Sequence, residues 1–414
     1  MPTDDVKKQA GWMPLGQDDL EQWLDALDAK VAARGQQITL QPVIQEFQDL
    51  LGRDPVIRMT VAEMISQTPA AKPSRRPFAS PDQLLRLINE VLTMAPEFSA
   101  DSAVMLPLEA VLEWTTATKA GFGAYRDPRM NDMLRKILGV WSDFLSSADS
   151  LYVLNDSEAG WMSDQAKQAV GIEQFEHDPD DEHWGFRSWN GFFTRHFRDG
   201  QRPVASPEDD TVIVSACESK PYKISTGVQK QSNFWMKGQP YSLRDMLGGD
   251  ESVDRFVGGT VYQAFLSALN YHRWHSPVSG TITRAFVQPG TYYSEADTEG
   301  EDALEPAESQ AYLAHVATRA VIIIEADNAG IGTIAVVLIG MSDVSSCVIG
   351  EDIRPGTHVE KGDELGFFQY GGSTECLVFG PGVIDRFALT AIPQPGNPDA
   401  SVVPVRSMLA TSTS

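Results

Sequence analysis

The stretch LGFFQYGGSTECLVF, residues 365–379, carries apolar, strand-like runs on both sides of Gly371-Gly372-Ser373-Thr374. Aromatic and β-branched residues favour the pleated, half-buried surface of a sheet, and a cluster of small residues between two such runs marks a turn or a break. Working outward, the same grammar recurs in TVIVSACES (211–219), GTITRAFV (280–287), RAVIIIEA (319–326) and TIAVVLIGM (333–341), separated by Gly, Pro, Asn and Asp. Short runs punctuated this way predict an antiparallel β-rich region. Asp327-Asn328-Ala329-Gly330 reads as a hairpin turn, and PGTHVEKGDELGFF (355–368) as a hairpin turning at Lys361-Gly362-Asp363. Ser407–Ser414 reads as a Ser/Thr-rich tail.

The first third follows a different period. Leu20, Trp23, Leu24, Leu27 and Val31 recur at helical spacing before Gly35, and Val43, Ile44, Phe47, Leu50 and Leu51 repeat the pattern. Ser80-Pro81-Asp82-Gln83 has the form of a capping box with proline at the first helical position. Met130, Met133, Leu134, Ile137, Leu138, Trp141 and Phe144 form one more stripe. Such stripes predict helix-packing core. The expected class is therefore α+β: a helical N-terminal domain over 1–150, a junction over 151–183, and an antiparallel β-rich barrel or sandwich domain over 184–414. The acidic run EHDPDDEHWG (176–185) marks the junction as a surface loop.

With 33 Lys plus Arg against 57 Asp plus Glu, the 414-residue chain carries a formal charge of −24. Nucleic acids and anionic bilayers both require clustered positive charge, so neither is an expected partner. No apolar run reaches the ~18 residues of a spanning helix, and the N-terminus lacks a signal-peptide core. Cys217, Cys347 and Cys376 are scattered without metal-like spacing and read as small buried hydrophobes. These features predict a cytoplasmic protein without a metal site and without stable membrane association.

Two of seven histidines stand together in YHRWHSPVSG, as His272 and His275. On a strand, residues three apart face opposite sides, whereas a turn brings them together. Neither the spacing nor the neighbours suit zinc. The other histidines, 177, 183, 196, 315 and 358, lack comparable context. A carboxylate that fixes a histidine's tautomer lets it deprotonate a hydroxyl, and Glu218, Glu325 and Asp327 are candidates for that part.

LGFFQYGGSTECLVF together with YHRWHSPVSG resembles the phosphatidylserine decarboxylases, whose members cut themselves at a Gly-Ser bond. SWNGFFTRHFRDGQRPV (188–204) is similar to that family's entry segment, and these matches span about 184–387. QPVIQEFQDLL, FLSSADS, AGWMS, SACES and IEADN extend the likeness over most of the chain to one branch, the fungal L-tryptophan decarboxylases. The resemblance implies that His275 deprotonates Ser373, that Glu218 orients His275, and that Ser373 attacks the Gly372 carbonyl. Cleavage between Gly372 and Ser373 would leave a pyruvoyl group at residue 373 as the self-generated cofactor, with His272 serving decarboxylation. The two chains would stay associated, and a homo-oligomer is compatible with the pattern. Glu218 stands where the family usually has Asp, which lengthens that arm by one methylene.

The expected activity is decarboxylation of a small amino acid, aromatic and foremost L-tryptophan, to the amine. An alternative is decarboxylation of phosphatidylserine to phosphatidylethanolamine, disfavoured by the charge of −24 and by the lack of a basic or apolar anchor. A third is a non-catalytic module, since GTHVEKGDELGFF also resembles the hairpins of lipoyl and biotinyl carriers. Its turn, however, lacks a carrier lysine between methionines.

Overall fold

The computed structural model describes residues 17–35, 38–68, 78–99, 104–116, 118–232, 241–294, 309–343, 346–395, 397 and 400–413. Among the described residues, seven helices build the N-terminal part: α1 (Gln17–Arg34), α2 (Pro42–Arg53), α3 (Pro55–Gln67), α4 (Pro81–Val91), α5 (Pro107–Thr116), α6 (Lys119–Ala124) and α7 (Pro128–Leu145). Their limits follow local chemistry. Ser80 Oγ accepts from the Gln83 amide at the start of α4, while the Gln83 side chain reaches back to the Ala79 amide, one residue beyond the cap. Asp54 caps α3 through the Val56 and Ile57 amides, and Gly35 ends α1 with a left-handed φ of 56°. Phe47, Leu134 and Trp141 of the predicted apolar stripes are almost wholly buried, together with Met64 of α3 and Ile88 of α4.

Short helices α8 (Asp164–Val170) and α9 (Trp189–Phe193) bridge to the β-rich part. There, strands β1 (Val212–Val214), β2 (Lys220–Thr226), β3 (Thr260–Leu266), β4 (Arg273–His275), β5 (Gly280–Gln288), β6 (Arg319–Ala326) and β7 (Thr333–Gly340) precede β8 (Cys347–Ile349), β9 (His358–Val359), β10 (Glu364–Phe368), β11 (Ser373–Phe379), β12 (Ile384–Phe387) and β13 (Met408–Ser412). A seven-stranded sheet runs β2-β3-β11-β7-β6-β5-β9, and two three-stranded sheets run β1-β13-β12 and β4-β10-β8. The small sheets lend Ile213, Leu409, Trp274, Leu365 and Phe368 to a core with Tyr262, Leu338, Leu377 and Phe379 of the large sheet. Helices α10 (Leu243–Met246) and α11 (Gln310–Val316) cover its other face at Val261, Val337, Cys376 and Val378. The result is α+β, sandwich-like, with no closed barrel among the described residues.

Two strand expectations need correction. The turn at Lys361-Gly362-Asp363 exists, with Gly362 at φ 92° and the Asp363 amide bonded to Glu360 O at 3.0 Å. Its flanks do not pair with each other: β9 joins β5, whereas β10 lies between β4 and β8. A turn residue fixes a reversal locally but not the partner that each arm finds. Likewise, the Ser/Thr-rich end is not a loose tail, because β13 is the central strand of its sheet, with Leu409 and Ala410 buried.

Candidate active site

Ser373 opens β11, the strand between β3 and β7, with Leu266 and Gly340 as its cross-strand neighbours. The alternation of a strand puts Ser373, Glu375, Leu377 and Phe379 on the face that packs under the small sheets. Ser373 is 1% exposed and its Oγ has no hydrogen-bond partner, which is costly for a buried hydroxyl. Gly372 before it is held from both sides: its amide donates to Ser342 O at 3.0 Å, and its carbonyl accepts from the Met341 amide at 2.8 Å. Gly371 takes φ 136°, a conformation that glycine alone adopts readily. The Gly372 carbonyl therefore stands beside an unengaged hydroxyl, with a backbone donor already on its oxygen.

Aromatic side chains wall this segment. Tyr370 meets Trp141 and Trp189 edge-on at 5.5 Å and Phe193 at 4.8 Å, and its hydroxyl donates to Met105 O. Phe193 also stacks on the His272 ring at 4.1 Å. Phe193 thus joins the histidine to the chain three residues before Ser373. Burial, and then the nearby Arg195 guanidinium, hold the His272 pKa down to about 3. Arg195 is itself buried, donating to Leu269 O at 2.9 Å and lying over the Phe175 ring.

His275, at the end of β4, is also buried, and both of its nitrogens are engaged. Nδ1 lies 2.8 Å from Gly362 O and 3.1 Å from Nη2 of Arg406, and Nε2 lies 3.0 Å from the Tyr271 hydroxyl. Burial, and then the Arg406 charge beside the ring, hold its pKa down to about 3. His272 and His275 are therefore both neutral at physiological pH, as a base or a proton relay requires.

Glu218 does not orient His275 in this arrangement. Its carboxylate takes a two-pronged ion pair from Arg202, at 2.7 and 3.0 Å, and the Val405 amide at 2.9 Å. The Gly362 carbonyl fills the position facing His275 Nδ1 that the triad expectation gave to Glu218. Nor is His275 hydrogen-bonded to Ser373, whose hydroxyl has no partner. Glu325 lies in the β6–β7 hairpin, where it pairs with Arg255 at 2.8 Å, and Asp327 in its turn bonds His358 at 2.9 Å.

Sequence reasoning missed two groups. The Met341 amide carries no side-chain signal at all. Glu375 looks like an ordinary strand residue, yet it is fully buried, accepts from Ser219 Oγ at 2.7 Å, and is pushed up to about 7 by burial. Its i+2 relation to Ser373 within an apolar strand was the available clue.

The family model described as phosphatidylserine decarboxylase matches residues 189–396, which takes in Phe193, both histidines, Met341 and the Gly372-Ser373 step. The chain belongs to this family. A second model described as belonging to the phosphatidylserine decarboxylases matches residues 41–170, within the helical part. Among relatives, decarboxylase iboD of Amanita muscaria is 40% identical over 298 residues, covering 67% of this chain and 84% of its own. An L-tryptophan decarboxylase of Psilocybe cubensis is 32% identical over 402 residues, covering 91% and 89%. Phosphatidylserine decarboxylase proenzyme 3 of Schizosaccharomyces pombe is 32% identical over 199 residues, covering 48% and 19%. As a phosphatidylserine-decarboxylase family member the chain is a carboxy-lyase, and the proenzyme names among its relatives accord with synthesis as a zymogen. No helix among the described residues is long and apolar enough to cross a membrane.

Proposed function

We propose that the chain is a pyruvoyl-dependent amino-acid decarboxylase, matured by cutting itself between Gly372 and Ser373 and acting on an aromatic amino acid, foremost L-tryptophan. The observation that carries the self-cutting is the buried, unpartnered Ser373 Oγ beside a carbonyl that already accepts from an amide. In this reading the Ser373 oxygen adds to the Gly372 carbonyl carbon, and the Met341 amide stabilises the charge that develops on oxygen. The hydroxyl proton passes to a base and on to the departing nitrogen, so that an ester replaces the amide. Loss of the Cα proton then expels Gly372 as a carboxylate, and water converts the resulting dehydroalanine to a ketone with release of ammonia. The base is His275, which reaches the hydroxyl once its bond to Tyr271 opens; Glu218 acts at a distance, through Arg202 and the chain around Val405.

A pyruvoyl at residue 373 supplies the electron-withdrawing ketone with which a substrate amine condenses. The surroundings fit such a group: buried, apolar and free of a competing ligand on the Ser373 side chain. Phe193, Tyr370 and Trp189 pack on one another three residues before Ser373, and a dry site favours loss of a carboxylate. Neutral His272 handles the proton at the substrate carbon. Tryptophan rests on the near-complete span of the match to L-tryptophan decarboxylases together with those aromatic side chains.

Carbon dioxide release across aromatic, aliphatic and acidic amino acids and phosphatidylserine vesicles tests the substrate. Release is expected from tryptophan first, and release from the vesicles alone would replace this reading with the lipid one. Denaturing mass spectrometry tests the cut: residues 1–372 and 373–414 are expected as separate chains, and one intact chain under all conditions refutes it.

A further inference from the structure

The amide that touches the Gly372 carbonyl belongs to a three-residue segment, Met341-Ser342-Asp343, fixed at its far end by the helical part. Asp343 is fully buried and takes φ 63°, a strained conformation for a residue with a side chain. Three donors converge on its carboxylate: the Leu108 amide at 3.0 Å, the Glu109 amide at 2.9 Å and the Tyr293 hydroxyl at 2.7 Å. The two amides open helix α5, where unsatisfied N–H groups and the helix dipole both favour a carboxylate. The residues leading into α5 also reach the scissile segment. Met105 O accepts from Tyr370, and Leu106 Cδ1 would stand 4.0 Å from a Cβ placed on Gly372.

Nothing in strand pairing requires a strand end to be tied to a helix more than two hundred residues away. The tie fixes the one segment whose amide must sit on the carbonyl as charge develops there. We propose that Asp343 is a positioning residue for self-cleavage, holding the Met341 amide on the Gly372 carbonyl by anchoring its segment to the start of α5. The helical part thereby becomes a component of the cutting machinery, and cleavage waits until α5 has docked. This inference rests on the proposed cut at Gly372-Ser373.

The test is the rate of appearance of the 373–414 fragment in full-length Asp343→Asn, which keeps the shape but withdraws one acceptor. Failure of the wild type to cut refutes the proposed function itself, separately from this inference. With wild type cutting, Asp343→Asn is expected to fold with a near-native melting temperature and cut at least ~tenfold more slowly, as for a displaced oxyanion donor. A folded Asp343→Asn that cuts at the wild-type rate overturns the proposal. Should that variant not fold, Tyr293→Phe decides: slower cutting supports the anchor, and an unchanged rate overturns it.

A pH profile separates positioning from mere stability. Burial raises the Asp343 pKa to about 7, and only the ionised carboxylate accepts from all three donors. Among the described residues, Tyr293, Tyr370 and, around Tyr293, Glu109 and Tyr125 are titratable groups in its surroundings, and Glu375 titrates in the same range on β11. The wild-type rate is expected to rise between pH 6 and 8 more steeply than that of Asp343→Asn, which retains Glu375. Parallel profiles overturn the proposal.

Discussion

At the scale of single residues, Ser373 pairs a buried hydroxyl that lacks a partner with a carbonyl that has one. Ser373→Ala removes the oxygen proposed to attack and leaves the strand intact, so an uncut, folded and inactive chain is expected. Fragment analysis and carbon dioxide release check both halves of that statement. The two histidines should separate by phenotype: His275→Ala blocks the cut, whereas His272→Ala is cut but loses turnover, on the order of 10²–10⁴-fold for a proton-transfer group. The reverse pattern would exchange their roles. Both rings resist protonation, with pKa values near 3 against an ordinary 6.5. Unfolding lets each ring take up a proton that the folded protein refuses, so stability is full above pH 6.5 and falls as pH drops toward 3. Acid denaturation below pH 6.5 should therefore soften in a His272→Phe variant, as measured by melting temperature against pH. At this scale His272, His275 and Ser373 stand out in the sequence by motif and order, which mark them as candidates but say nothing of what surrounds them. The Met341 amide does not stand out, since a backbone donor leaves no trace in residue identity. The setting of Glu218 was hidden too, because sequence does not reveal that Arg202 occupies its carboxylate.

At the scale of elements, two glycines on one short stretch have opposite demands. Gly366 in β10 sits at φ 153°, and a Cβ there would lie 2.1 Å from Val348 O of the neighbouring strand. Backbone cannot yield as a side-chain tip can, so Gly366→Ala should lower stability by roughly 2 kcal/mol or more and loosen the β4-β10-β8 sheet. Gly372 is roomier, the nearest atom to a Cβ added there being Met341 Cβ at 3.5 Å. Gly372→Ala should keep its stability within about 0.5 kcal/mol of wild type, so any loss of cutting is a loss of chemistry. Denaturant unfolding of the two variants side by side tests the contrast. Helix stripes and strand runs were readable here because each depends on a local period. Strand partners were not: the Lys361-Gly362-Asp363 turn sends its arms to different sheets, and pairing is decided by the whole fold.

At the scale of the molecule, the large sheet and the helical part meet around residues 369–373. Ser142 Oγ and the Asn190 side chain bond Gln369 and the Tyr370 amide, and Trp141 packs on the Tyr370 ring. A stretch that looks like a simple bend in the sequence is thus gripped by both halves, which no local pattern could announce. The small fragment made by a cut at Gly372-Ser373 would contribute β11 between β3 and β7, β12 and β13 to the same body. It should co-elute with residues 1–372 under native conditions and part from them only in denaturant; spontaneous separation at neutral pH would contradict the pairing.

The central position of β11 also bears on the lifetime of each molecule. A reactive group at the head of an edge strand could be replaced by exchange of the short chain for a fresh copy. One at the head of a strand laddered on both sides, residue by residue from 373 to 379, has no such route. Under the proposed cut, a group at residue 373 that is spoiled by a side reaction could not be renewed piecemeal. The supply of active enzyme is then governed by synthesis of new chains.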